Sequence, residues 1–218
     1  MPGAVDRRCE GVADLTARRA RVSQSLFFTD RITAELTDHR EAGPGPGEFI
    51  EQSEMIYDGA NAYVRVGGSW TGFSLADPGG PRQLGDPLWP LDVLFGAGND
   101  AVQVGPEQVR GVPAVRCRLT ADLGRADAAL TAGVSVPTGP YRSLGRLPVE
   151  VWLDGAGLAR RIAVNHDPSA TADKRIWSIV ELWDFGVSVE ITPPAAGEVL
   201  APAEAYRTAH EDAPGPNG

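Results

Sequence analysis

Lysine is almost missing from this chain. Lys174 is the only one in 218 residues, so arginine supplies nearly all the positive charge. There are two cysteines, Cys9 and Cys117, too few for a disulfide framework whether or not they pair. The three histidines, His39, His166 and His210, are scattered. His166-Asp167 offers two metal ligands with no third or fourth spaced to join them, so no metal site is expected. No stretch approaches the roughly 20 apolar residues of a transmembrane helix. The formal net charge of −9 and pI near 4.8 argue against nucleic acid or an anionic membrane as partner, and are the charge of a protein kept soluble.

Catalytic motifs are present only as fragments. Asp184-Phe185-Gly186 spells the magnesium-binding triplet of kinases, but no H-R-D loop or glycine-rich phosphate loop accompanies it. Its expected role is structural, with Gly186 letting the backbone bend. Gly155-Ala156-Gly157 is half a dinucleotide fingerprint set in a hairpin instead of a strand-to-helix turn. Gly67-Gly68-Ser69-Trp70-Thr71 approaches a nucleophile elbow, yet Thr71 stands at the last glycine's place and no helix follows. No catalytic residue and no cofactor is predicted.

What the sequence does have is strand periodicity. In Leu147–Val164, Val149, Val151 and Leu153 alternate with Glu150, Trp152 and Asp154, the period that sends successive side chains to opposite faces. Asp154-Gly155-Ala156-Gly157 then reverses the chain, its glycines permitting positive φ. Leu153 facing Leu158 would set Val149 against Ile162 and Glu150 against Arg161, with Arg160 snorkelling at the rim of the apolar face.

Further strands are expected at Val22–Phe28, Ile32–Leu36, Phe49–Tyr57, Ala60–Val66, Ser69–Leu75, Ala101–Val104 and Val112–Thr120. Arg175–Phe185 carries apolar residues on both sides, with Trp177, Ile179 and Trp183 opposite Ile176, Val180 and Leu182, and so reads as a strand buried on both faces. Val187–Ile191 closes the fold. A modest helical signal covers Gly11–Arg21, and a second helix, with Leu123, Ala126 and Leu130 on one stripe, is expected over Asp122–Leu130. Thr131–Arg146 is a Gly/Pro loop of lid or binding-loop length. Residues 1–10 and 201–218 read as disordered ends around one domain over 11–200.

One stretch breaks the strand period. Asp86 is placed to cap a helix with Pro87 at its first position. Leu88, Leu91, Leu94 and Phe95 follow at helical spacing, Trp89 and Val93 widen the apolar face, and Gly96-Ala97-Gly98 ends it. A helix this apolar must cover something. Hairpin-connected strands with a few inserted helices define an α+β chain, one antiparallel sheet with helices segregated to one face.

Several motifs together are similar to a known family. They are Pro148-Val149-Glu150-Val151-Trp152-Leu153-Asp154, then Gly157-Leu158 and Arg160-Arg161, Leu182-Trp183-Asp184-Phe185-Gly186 and Ile191-Thr192-Pro193-Pro194-Ala195. Upstream stand Ala62-Tyr63-Val64-Arg65 leading to Trp70, Asp86-Pro87 before the apolar helix, and Gly105–Val112. Over roughly residues 22–200 the chain resembles actinobacterial lipoproteins of the LppX/LprAFG type, relatives of the LolA lipoprotein carrier. The resemblance implies a strongly curved, incompletely closed barrel whose concave side is covered by helices. It implies a non-catalytic carrier or binder of lipid or an acylated ligand, working in the cell envelope, with envelope proteins as further partners. Trp89, Leu91, Leu94 and Phe95 on the helix, and Val149, Val151 and Leu153 on the hairpin, would line the cavity. The alternative is an interaction or sensor module of the same fold with its cavity filled by side chains; an enzyme ranks last. Cys9 raises the question of a lipid anchor, but Asp6-Arg7-Arg8 precede it and no apolar segment does. Either an export signal is encoded upstream of Met1, as the family would have it, or the protein stays in the cytoplasm.

Overall fold

The computed structural model describes residues 5–28, 49–59, 61–66, 68–74, 88–129, 145–166 and 177–200. They form two compact units. The first ends at Ser74 and resumes at Val189, and the second is Leu75–Ser188.

In the first unit, β1 (Val5–Asp14), β2 (Arg19–Phe28), β3 (Phe49–Asp58), β4 (Asn61–Val66) and β5 (Ser69–Ser74) pair antiparallel in chain order. The short β11 (Val199–Leu200) then adds parallel to β5, with Val199 beside Trp70. Glu54 faces Arg65 across β3 and β4 and accepts hydrogen bonds from both Arg21 and Arg65. Burial raises the Glu54 pKa, but the two guanidinium groups outweigh it and hold the carboxyl below its ordinary value. Ile56, Trp70 and Ile191 form the unit's apolar cluster, flanked by Tyr63, Val189 and Val199.

The second unit holds β6 (Val102–Val109), β7 (Val112–Asp122), β8 (Arg146–Asp154), β9 (Ala159–Asn165) and β10 (Trp177–Glu181). They form an antiparallel sheet ordered β10-β9-β8-β7-β6. Helix α1 (Trp89–Val93) continues into a 3-10 turn, Leu94–Gly96, and α2 (Leu123–Ala129) follows β7 directly. The Asp122 carboxylate accepts the Arg125 N–H at 3.0 Å and so starts α2. One core joins the helical segments to one face of the sheet. Trp89, Val93, Leu123 and Ala126 meet Val149, Val151, Ile162 and Val164. Burying side chains such as Leu147 and Ile162 contributes about 1.5–3 kcal/mol each.

Several expectations are corrected. The strands among the described residues lie in two sheets, one in each unit, instead of one. Here the run of hairpins is interrupted after Ser74, and β5 takes β11 as its outer neighbour in place of β6. Residues 5–10, expected to be disordered, begin β1, and the helix expected over Gly11–Arg21 is a hairpin. Asp14 decides this: its Oδ1 accepts the N–H groups of Thr16 and Ala17 at 2.9 Å, and Arg18 closes the turn with φ of 53°. β6 runs on through Gly105-Pro106 past a bulge after Gln103, five residues beyond the expected end. β10 is shorter than expected and lies at the sheet's edge, with Trp177 and Ile179 exposed instead of buried. Val187–Ile191 forms no strand; Ile191 instead packs into the first unit's core. The strand expected at Ile32–Leu36, the helix start at Asp86-Pro87, most of the Thr131–Arg146 loop and the tail 201–218 lie outside the described residues.

Candidate functional site

The β8–β9 hairpin carries the sheet residues expected at the site. Its alternation is as expected, but its register is set by a bulge. Val149 pairs with Val164, Val151 with Ile162 and Trp152 with Arg161, and the register slips before Leu153 meets Ala159. The shift from the expected pairing is even-numbered over Val149–Trp152, so every side chain keeps its face. Asp154 organises the turn more than the glycines do. Its carboxylate accepts N–H groups of Ala156 and Leu158 and the Arg160 Nε–H at 2.9, 3.0 and 2.7 Å. The Leu158 hydrogen bond, with the others, holds its pKa below the ordinary carboxylate value. Of the two turn glycines only Gly157 uses positive φ, at 78°. Arg160 is therefore tied to Asp154 instead of lying loose at a rim.

α1 with its 3-10 turn packs on that sheet face. Leu88 supplies the first carbonyl, accepting from Leu91 and Asp92 at 3.0 and 3.1 Å, and Pro90 sits where its missing N–H costs no hydrogen bond. Trp89 and Val93 point into the core, and Gly96 is pressed against β7. The Trp89 indole stacks on the His166 imidazole at the end of β9, and His166 Nε2 lies 2.6 Å from Ser178 Oγ on β10. Burial pushes the His166 pKa down to about 4, so the ring is neutral at pH 7.

Of the residues expected to line a cavity, Trp89, Val149 and Val151 are buried members of one core. Leu91, Leu94 and Leu153 pack against it half-buried. Phe95 stands apart, 53% exposed. Along the helical segment the one charged residue, Asp92, is buried, and the one large exposed side chain, Phe95, is apolar.

The other face of the sheet bears a lattice that the sequence reading missed. The Trp152 ring lies between the guanidinium groups of Arg116 and Arg161, at 5.4 and 5.2 Å. Its indole N–H donates to Glu107 at 2.7 Å, which, with Arg116, lowers the Glu107 pKa. Glu150 binds Arg116 at 2.7 and 2.8 Å instead of the expected Arg161, which binds Glu181 at 2.9 Å. The alternation of Arg116 and Arg118 with apolar neighbours on β7 was the available signal. It marked the face but not the partners.

Neither Cys9 nor Cys117 is in a disulfide. Among the described residues no group of three or more His, Cys, Asp or Glu side chains could hold a metal ion, and no helix is long and apolar enough to cross a membrane.

The described residues thus define a sheet-rich α+β protein with an apolar helical segment packed on one of two sheets. Solved structures similar to it are mycobacterial lipoproteins of the LppX/LprF type. LprF from Mycobacterium bovis matches at 16% identity over 88% of each chain, with a TM-score of 0.42. Lipoprotein LppX from Mycobacterium tuberculosis matches at 16% identity over 73% of this chain and 76% of that one, with a TM-score of 0.33. No family description and no curated protein matches the sequence.

Proposed function

We propose that this protein is a non-catalytic binder of lipid or an acylated ligand in the cell envelope, and that Leu91, Leu94 and Phe95 receive the ligand's hydrocarbon. The observation that carries the reading is the segment Trp89–Gly96, which buries its one carboxylate, leaves Leu91 and Leu94 half-buried against the core and turns Phe95 outward. An exposed aromatic ring flanked by half-buried leucines, beside a buried carboxylate, is the informative departure from an ordinary surface helix. An acyl chain laid there would meet Leu153 at the rim and, where the segment lifts, Trp89, Val149 and Val151 beneath it. Such binding is non-directional, worth about 0.8 kcal/mol per buried methylene, and needs no polar motif. The motif resemblance set out above points the same way.

The second reading, an interaction or sensor module, draws on the closed packing of Val149, Ile162 and Val164, each 0% exposed. Titration of the full chain with a fluorescent fatty acid separates the two. The lipid reading expects saturable uptake, weakened by Phe95→Ser without a change in melting temperature. Absence of saturable uptake, together with no lipid in mass spectra of protein recovered from its native host, would leave the interaction module.

A further inference from the structure

One end of the five-stranded sheet is built differently from the rest. Three pieces of chain meet there: the β6–β7 turn at Arg110, the β8–β9 turn, and the segment that leaves β10. The Leu182 N–H donates to the Arg160 carbonyl at 2.9 Å, so that segment runs out beside the β8–β9 turn. It then bends twice, with φ of 51° at Asp184 and 82° at Gly186. A non-glycine residue in the left-handed region is uncommon, and here it sets two aromatics on different neighbours. Trp183 lies under the Arg110 guanidinium at 3.9 Å, and Phe185 lies under that of Arg160 at 4.8 Å.

Four large apolar side chains of these segments are partly exposed. Trp183 is 37% exposed, Phe185 39%, Leu158 40% and Val187 60%. The charges at this end are matched. Arg110 and Arg161 bind Glu181, Arg160 binds Asp154, and Asp184 supplies a third carboxylate against the three arginines.

We propose that this end of the sheet, carrying Leu158, Trp183, Phe185 and Val187, docks on the headgroup region of a zwitterionic phospholipid bilayer. Tryptophan and phenylalanine beside arginine suit that depth, where rings enter the acyl boundary and charged heads stay in water. Charge selects the kind of lipid. A chain of net charge −9 is repelled by an anionic surface, and the three arginines at this end are each paired with a carboxylate, so they do not reverse that. A patch without net charge is where such a chain can approach a neutral bilayer. This inference does not rest on the lipid-binding reading, since a ligand taken from solution needs no docking surface.

The test uses the full chain and sucrose-loaded phosphatidylcholine vesicles, with cosedimentation as the readout. The parent should sediment with the vesicles. The double substitution Leu158→Glu, Val187→Glu should weaken this by at least about tenfold while leaving the melting temperature unchanged. Ile179→Glu, on an equally exposed residue in the body of β10, should bind as the parent does. Brominated acyl chains should quench tryptophan emission in the parent, and Trp183→Phe should remove that quenching while still sedimenting. No sedimentation of the parent would overturn the proposal, as would equal loss in Ile179→Glu or quenching that survives Trp183→Phe. Binding that requires an anionic lipid would overturn it too. So would sedimentation without vesicles that the double substitution abolishes, which would make the patch a contact between copies of this chain.

Discussion

The His166 imidazole stacks on the Trp89 indole with ring centroids 4.7 Å apart and planes 18° from parallel. This contact ties the start of the apolar helical segment to the end of β9. Because burial holds the His166 pKa at about 4 against an ordinary 6.5, the unfolded chain takes up a proton between those values that the folded chain refuses. The contribution to stability is whole above about pH 6.5 and is lost as pH falls towards 4, by up to the order of 3 kcal/mol. Thermal melts from neutral pH down to about pH 4 should show a steeper decline in the parent than in His166→Gln. Equal slopes would show that this histidine does not carry the linkage.

Leu94→Trp tests whether the helical segment borders open space. If Leu94 faces a ligand surface, the larger ring should leave the melting temperature nearly unchanged and reduce fatty acid uptake. If Leu94 is ordinary close-packed core, the substitution should cost about 1–3 kcal/mol through forced rotamers and backbone shifts.

Leu147→Ala should behave differently, because Leu147 is 0% exposed and sits in the centre of the core beneath the helices. A loss of about 2–5 kcal/mol in denaturant unfolding is expected. A loss below about 1 kcal/mol would mean that this core is loosely packed.

Gly96→Ala should destabilise the second unit. A Cβ built at Gly96 would stand 2.1 Å from the Asp122 carbonyl oxygen, a backbone atom that cannot swing aside. The expected cost is at least about 1–3 kcal/mol, read as a lowered denaturation midpoint. Gly155→Ala is the control, since nothing lies near the added methyl there and little change is expected.

Much of the fold was legible because strand alternation is a local signal. Val149, Val151 and Leu153 against Glu150, Trp152 and Asp154 marked β8 and its buried face. The bulge at Leu153 was not legible, because the Asp154 side chain builds it through hydrogen bonds that many other turns would also permit. The site was half legible. Helical spacing put Leu88, Leu91, Leu94 and Phe95 on one stripe with Trp89 and Val93 beside it, but Trp89 and Val93 are the ones in the core and Phe95 lies outside. The helix ends in a tighter 3-10 turn after Val93, which rotates the residues that follow. The partners of Trp152 could not be read at all, since Glu107, Arg116 and Arg161 come from three different strands.

The parallel pairing of Val199 and Leu200 with Trp70 and Thr71 has a consequence for the order of synthesis. Every other described strand of that sheet is made before the second unit, and β11 only after it. During translation the outer edge of β5 therefore waits, without its final neighbour, while the ribosome completes the whole intervening segment. An edge left open that long invites pairing with other chains. The same geometry makes β11 the strand whose amides should exchange with solvent first, since two residues of ladder hold it against the entropy of a long closed loop.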